Sequence, residues 1–242
     1  MDARRLACLD AMGIPAWSRR ADRMLPGAPR VGPEPAAPPE ATPGMTASGT
    51  AAIADMGWDA LEARVSGCTR CPLHAGRTRT VFGVGSRRAD WMIVGEAPGA
   101  EEDRRGEPFV GRAGKMLDAM LAAVGKTRDQ VYIANVVKCR PPENRDPRPE
   151  EAASCAPYLD RQIELLAPKV ILAVGRVAAQ RLLQADAPVG RLRGRIHCHG
   201  PGAVPLVVTW HPAYLLRRPE AKADAWRDLV LAAGVVAQAG AR

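Results

Sequence analysis

Aromatic residues make up only 4% of the 242-residue chain, and two of them are phenylalanines. An aromatic ring set among polar and glycine-rich residues is therefore conspicuous. No apolar run reaches the roughly 18 to 20 residues that a membrane-spanning helix needs. The opening MDARRLACLDAMG lacks the long apolar core and small-residue cleavage site of a secretory signal. These absences predict a cytoplasmic protein with no membrane association. Acidic residues are also in deficit, 26 Asp and Glu against 34 Lys and Arg, for a net charge of +8. Most of the excess is arginine, whose guanidinium grips phosphate as a fork, so the balance favours a polyanionic partner such as nucleic acid. Six cysteines in a reducing compartment point to metal rather than to a disulfide framework.

Composition divides the chain into three parts. Residues 1–24 read as a short amphipathic peptide carrying Leu6, Leu9, Met12 and Trp17, suited to docking on a partner. Residues 25–50 include a tract from Pro26 to Gly44 with seven prolines and few large apolar side chains. Such a tract cannot bury enough surface to offset its ordering entropy, and it reads as a flexible linker. Residues 51–242 are long enough for one sizeable α/β domain.

Within that domain the organising stretch is Trp91 to Gly114, WMIVGEAPGAEEDRRGEPFVGRAG. The apolar run Trp91-Met92-Ile93-Val94 breaks into Gly95-Glu96-Ala97-Pro98-Gly99, the pattern of a buried parallel strand opening into a tight loop. Open α/β sheets bind ligands just beyond such carboxyl ends. Four acids (Glu96, Glu101, Glu102 and Asp103) follow within eight residues, and then Phe109. Carboxylates beside a flat ring and exposed backbone suit a small, flat, polar ligand such as a nucleobase.

Further strands are expected at Val131–Ala134, Val170–Val174 and Pro205–Trp210, alternating with helices that include Ala113–Val124, a helix opened by Pro149, Val177–Leu183 and Pro219–Val236. The alternation implies a mainly parallel sheet covered on both faces. Its strand ends deliver Glu96, Asn135 and His211 to one rim, the candidate active site.

Cys68-x2-Cys71 and Cys139-x15-Cys155 form two pairs on either side of the first strand-helix unit. A two-residue gap lets two thiolates bind one centre from a single turn. On ligand count a structural zinc and a four-iron cluster fit equally. Cys8 and Cys198 stand outside any metal-ligand spacing.

Taken together, these residues resemble a known family, the iron-sulfur (family 4) uracil-DNA glycosylases. The resemblance rests on Gly95-Glu96-Ala97-Pro98-Gly99, Glu107-Pro108-Phe109-Val110-Gly111-Arg112-Ala113-Gly114, the run from Val131 to Arg145 with Asn135 and Asn144, and His211-Pro212-Ala213-Tyr214-Leu215-Leu216-Arg217. It covers residues 58–234. It implies a three-layer α/β/α sandwich around a four-stranded mainly parallel sheet, and a monomeric repair enzyme that flips uracil out of DNA and hydrolyses its N-glycosidic bond. Cys68, Cys71, Cys139 and Cys155 would hold a [4Fe-4S] cluster. Phe109 would stack on the uracil, Asn135 would read its O4 and N3–H edge, and His211 would hydrogen-bond O2. Gly95 and Ala97 would shape the same pocket, while Glu96, Glu102 and Asn144 would orient the pocket and the attacking water. Tyr214, Leu215, Leu216 and Arg217 would press into the duplex.

Some positions depart from better-known relatives in the superfamily. Ala97 stands where those relatives carry a water-activating Asp, and Gly99 replaces a bulky tyrosine that excludes thymine. Glu102 is then the candidate for thymine exclusion. Arg193-Gly194-Arg195-Ile196-His197 is similar to a basic loop of a related branch that traps the abasic sugar covalently through its histidine. The alternative function is therefore a uracil-DNA-binding protein acting through His197, while the plain reading of Arg193, Arg195 and His197 is a loop that touches phosphate. The N-terminal peptide looks like that of the psi subunit of the bacterial clamp loader, which implies a replication partner and a nucleoid-associated enzyme.

Overall fold

The computed structural model describes residues 52–240. The expected docking peptide (1–24) and linker (25–50) lie outside the described residues. The elements follow in the order α1 (Trp58–Ser66), β1 (Val84–Gly85), β2 (Trp91–Gly95), α2 (Ala100–Arg105), α3 (Arg112–Ala123), β3 (Tyr132–Asn135), α4 (Pro149–Leu166), β4 (Val170–Val174), α5 (Arg176–Leu183), α6 (Val189–Leu192), β5 (Ile196–His199), β6 (Val204–Thr209), α7 (Pro212–Arg217) and α8 (Lys222–Gly240).

The strands form one sheet in the order β1-β3-β2-β4-β6-β5. The four inner strands are parallel to one another, and they are the four that the apolar runs predict. Two antiparallel edge strands extend the expected four-stranded sheet to six. Their sequences hide them. β1 is only two residues long, and β5, Ile-His-Cys-His, is only four residues long and half-buried throughout.

Because side chains alternate across a strand, each inner strand feeds two cores. Met92, Val94, Ala134, Ile171, Ala173, Leu206 and Val208 meet the layer of α1, α4, α5 and α6. Trp91, Ile93, Ile133, Val170, Leu172, Val174 and Val207 meet α3, α7 and α8. β2 and β4 are buried at every position, as strands covered on both faces must be.

The last helix is tied to the sheet edge by a buried ion pair. Asp228 is fully buried, and its carboxylate accepts from Arg193 Nε at 3.0 Å, Arg193 Nη2 at 3.1 Å and the Gly194 N–H at 3.1 Å. The guanidinium of Arg193 is thus committed to α8 and not presented to phosphate, a correction to its expected place in a DNA-touching loop. Removing one partner of a buried pair leaves the other charge uncompensated. Asp228→Ala is expected to cost about 3 kcal/mol or more, seen as a clear fall in the thermal midpoint, whereas Asp59→Ala, at an exposed pair with Arg87, should change it little.

Candidate active site

The carboxyl ends of β2, β3 and β6 open into one cleft of about 520 Å³. Glu96 and Ala97 reach it from the loop after β2, Asn135 from the last position of β3, and His211 from the turn after β6. Glu102, Phe109, Asn144 and Arg217 line it as well. The rim residues expected from three separate strand ends are therefore neighbours in space.

Each is placed by its local backbone. Gly95 is the hinge of the arrangement, because a Cβ there would stand 2.4 Å from Asn135 Oδ1 and 2.6 Å from the Phe109 ring. Only glycine lets the amide and the ring approach each other. Phe109 itself has φ of +56°, a strained setting for a bulky residue. It is held there by Arg128, whose Nη1 and Nη2 donate to the carbonyls of Phe109 at 3.1 Å and Pro108 at 2.7 Å. At Gly114 a Cβ would stand 1.7 Å from the Phe109 carbonyl oxygen, so α3 can begin against that carbonyl only with glycine.

Glu102 organises the same loop. One carboxylate oxygen accepts from the Gly99 N–H at 3.1 Å, and the other from Val110 at 3.1 Å and Gly111 at 3.3 Å. Asn144 sits at φ of +54°, and its Oδ1 accepts from Arg140 Nε at 2.7 Å. Its loop is pinned by Arg145, which makes a two-pronged pair with buried Glu151 at 2.8 and 2.6 Å.

The electrostatics of the cleft centre on three groups. Asn135 is 2% exposed, and its Oδ1 is buried with no hydrogen-bond partner. An orphaned buried amide oxygen is costly, and here it faces a cavity. His211 accepts the Ala213 N–H on Nδ1 at 3.2 Å. Burial, then the charge of Arg217, pushes its pKa down to about 4. A neutral imidazole that accepts at Nδ1 carries its proton on Nε2, so His211 is an uncharged donor. Its ring centroid lies 5.7 Å from that of Phe109, with the planes inclined by 34°. Glu96 is pushed the opposite way, up to about 7, by burial first and by Asp146 second.

Other expected residues fall differently. Leu215 is buried in the core under α7 and cannot press into a duplex, while Leu216 is exposed. Tyr214 stacks on Trp210 with centroids 4.6 Å apart. Arg195 is exposed. His197 lies on the edge strand with Nε2 2.7 Å from the Leu192 carbonyl oxygen, outside the cleft lining. Asp146, Arg145 and Ala113 line the cleft without having been singled out in the sequence. Asp146 lay inside the breaker-rich RPPENRDPRP, where an acid is an ordinary turn residue.

A second, smaller cleft is lined by Cys68, Cys71, Cys139 and Cys155, so the two sequence pairs converge. Arg77 Nη1 donates to Cys139 Sγ at 3.1 Å, and the Lys138 N–H donates to Cys155 Sγ at 3.3 Å. Burial raises the thiol pKa of Cys71, Cys139 and Cys155, the last to about 12. Among the described residues, no three His, Cys, Asp or Glu side chains gather into a group suited to a single metal ion.

The family model for the uracil DNA glycosylase superfamily matches residues 82–232. The chain belongs to the uracil-DNA glycosylase superfamily. It is 43% identical over 172 residues to a type-4 uracil-DNA glycosylase of Archaeoglobus fulgidus, covering 69% of this chain and 86% of that protein. It is 46% identical over 155 residues to the type-4 enzyme of Thermotoga maritima, covering 64% of this chain and 80% of the relative. Similarity to a type-5 uracil-DNA glycosylase of Thermus thermophilus is lower, 35% over 120 residues, covering 43% of this chain and 54% of the relative. As a superfamily member the chain carries its cleft at the sheet rim that both the strand ends and the glycines single out.

The His211 shift has a direct check. Folding holds this ring neutral, whereas an unfolded chain would protonate it near 6.5, so its share of stability is lost as pH falls from about 6.5 to about 4. Glu96 works oppositely, its share being lost as pH rises from about 4.5 to about 7. The two offset each other in a melting curve, so a site-resolved NMR titration is the suitable measurement. The His211 ring signals should stay those of the Nε2–H neutral form down to about pH 4.

Proposed function

We propose that the chain is a monofunctional uracil-DNA glycosylase of base excision repair, which hydrolyses the N-glycosidic bond of a flipped-out uracil and leaves an abasic site. The carrying observation is that Phe109, Asn135 and His211 line one cleft, with the buried Asn135 Oδ1 unpartnered. A base inside a duplex is out of reach, so it must be extruded at a cost of a few kcal/mol that stacking and edge hydrogen bonds offset. Phe109 supplies the stacking face. Asn135 is neutral and offers both an acceptor for N3–H and a donor for O4; cytosine presents the reverse pattern and leaves the amide unmatched.

As the bond between C1′ and N1 breaks, its electron pair leaves with uracil and negative charge gathers on O2. The His211 Nε2–H is the donor for that charge, and a neutral ring serves without a proton transfer. Water then bonds to C1′. Both oxygens of Glu102 already accept backbone N–H groups, and Asn144 Oδ1 is taken by Arg140. Glu96 is thereby favoured as the group that orients the water and takes its proton, which passes on to solvent. Glu102 keeps the place beside Gly99, where a side chain would meet it at 2.7 Å, and fits the role of excluding thymine. Exposed Leu216, Arg217 and Arg195 are the groups for the duplex and its phosphates.

A [4Fe-4S] cluster held by Cys68, Cys71, Cys139 and Cys155 completes the reading. The donor set fits, being four sulfurs around one cleft with N–H groups directed at two of them. The cluster would cross-link three segments of the domain, α4 among them, as a structural group. Residues 1–24 would dock on the clamp loader and bring a monomeric, nucleoid-associated enzyme to the replication fork. No helix among the described residues is long and apolar enough to cross a membrane.

Incubation with a uracil-containing oligonucleotide and then alkali should cut the strand at uracil, and a thymine control should remain whole. Asn135→Ala, His211→Ala and Gly95→Ala should each slow release by about 10²- to 10³-fold, while His197→Ala should leave it unchanged. Absence of cleavage by the wild type refutes the reading, and a denaturation-resistant DNA adduct lost in His197→Ala would favour covalent trapping instead. The purified protein should be brown with bound iron, and Cys155→Ala should lose both the iron and several degrees of thermal midpoint.

A further inference from the structure

A carboxylate that the proposed reaction does not yet use faces the same cleft. Asp146, on the loop between β3 and α4, lines it together with Glu96. From the wall of that shared cleft, Asp146 is the neighbouring carboxylate that acts on Glu96. On its other side Asp146 is salt-bridged to Arg176 at the start of α5. Its backbone carbonyl accepts from Arg145 Nη1 at 2.9 Å, and Arg145 is itself fixed on buried Glu151. The loop thus presents Asp146 to Glu96 from a braced position.

We propose that Asp146 is a positioning residue for uracil release, a carboxylate clamped by Arg176 on the wall of the same cleft, whose charge decides whether Glu96 meets the water as acid or as carboxylate. This rests on the glycosylase reading and deepens it. A protonated Glu96 has no basic oxygen to spare for the proton of the attacking water. An ionised one accepts that proton as water adds to C1′, and it also faces the developing positive charge of the sugar. Burial and then Asp146 hold the Glu96 pKa up at about 7, and Arg176 pulls it down. Glu102, Arg145, His211 and Arg217 line the same cleft, but Asp146 and Arg176 are the charged groups that act on Glu96. The arrangement makes activity rise with pH through the neutral range, and it gives the two neighbours opposite effects on where that rise falls.

The test is the single-turnover rate of uracil release from a single-stranded oligonucleotide, measured from pH 5 to pH 9. Wild type should show an acid limb near pH 7. Asp146→Asn, which removes a like charge, should move the limb down by about one unit or more. Arg176→Met, which removes the cation, should move it up, and Glu96→Gln should abolish it. A merely structural role would lower the rate equally at every pH. Limbs that coincide in wild type, Asp146→Asn and Arg176→Met, or a limb that survives in Glu96→Gln, would overturn the proposal while leaving the glycosylase reading intact. A wild type that releases no uracil would overturn both. Arg176 is on the surface, so its variant carries the test even if Asp146→Asn does not fold.

Discussion

The geometry of the cleft depends on a side chain that is not there. Gly95 closes β2 at the point where the Asn135 amide and the Phe109 ring converge, and any Cβ would overlap both. Around that contact the other parts are braces. Arg128 holds the strained Phe109 carbonyl, Glu102 gathers three N–H groups of the surrounding loop, and Gly175 leaves room beside His211, where an added Cβ would stand 3.0 Å from the His211 Cβ and 3.3 Å from its ring Cδ2. Such bracing holds an unfilled amide and an uncharged imidazole in place before any ligand arrives, the condition under which fixed dipoles contribute most.

One buried residue links the two clefts. Lys138 is fully buried, its Nζ donating to the Asn135 carbonyl at 2.9 Å and to Gln162 Oε1 at 2.6 Å, while its backbone N–H donates to Cys155 Sγ at 3.3 Å. Gln162 carries the chain of bonds on to Tyr132 and to the Phe82 carbonyl. The strand end that carries Asn135 is thus fastened to a segment that carries a thiol. Order in the cysteine cleft supports order in the larger cleft, even though no cysteine lines the latter.

Much of this was legible in the sequence because the signals were local. The apolar runs before Gly95, Asn135 and Gly175 mark strands buried on both faces, and their ends mark the rim. What escaped had non-local causes. The edge strands β1 and β5 are two and four residues long, too short to announce themselves, and they are defined by their pairing with β3 and β6. Leu215 and Leu216 are indistinguishable in sequence, yet the turn of α7 buries one and exposes the other. Arg193 read as a phosphate ligand because its partner Asp228 lies 35 positions away. Asp146 drew no notice because only the fold brings it to the cleft that Glu96 lines.

The central claim is that a flat pyrimidine is read by Asn135 and by His211 against the face of Phe109. A crystal structure of the protein with free uracil tests it most directly. The account predicts the ring lying along Phe109, with N3–H on Asn135 Oδ1 and O2 at His211 Nε2. Uracil bound with its O4 and N3 edge turned away from Asn135, or seated outside this cleft, would contradict it.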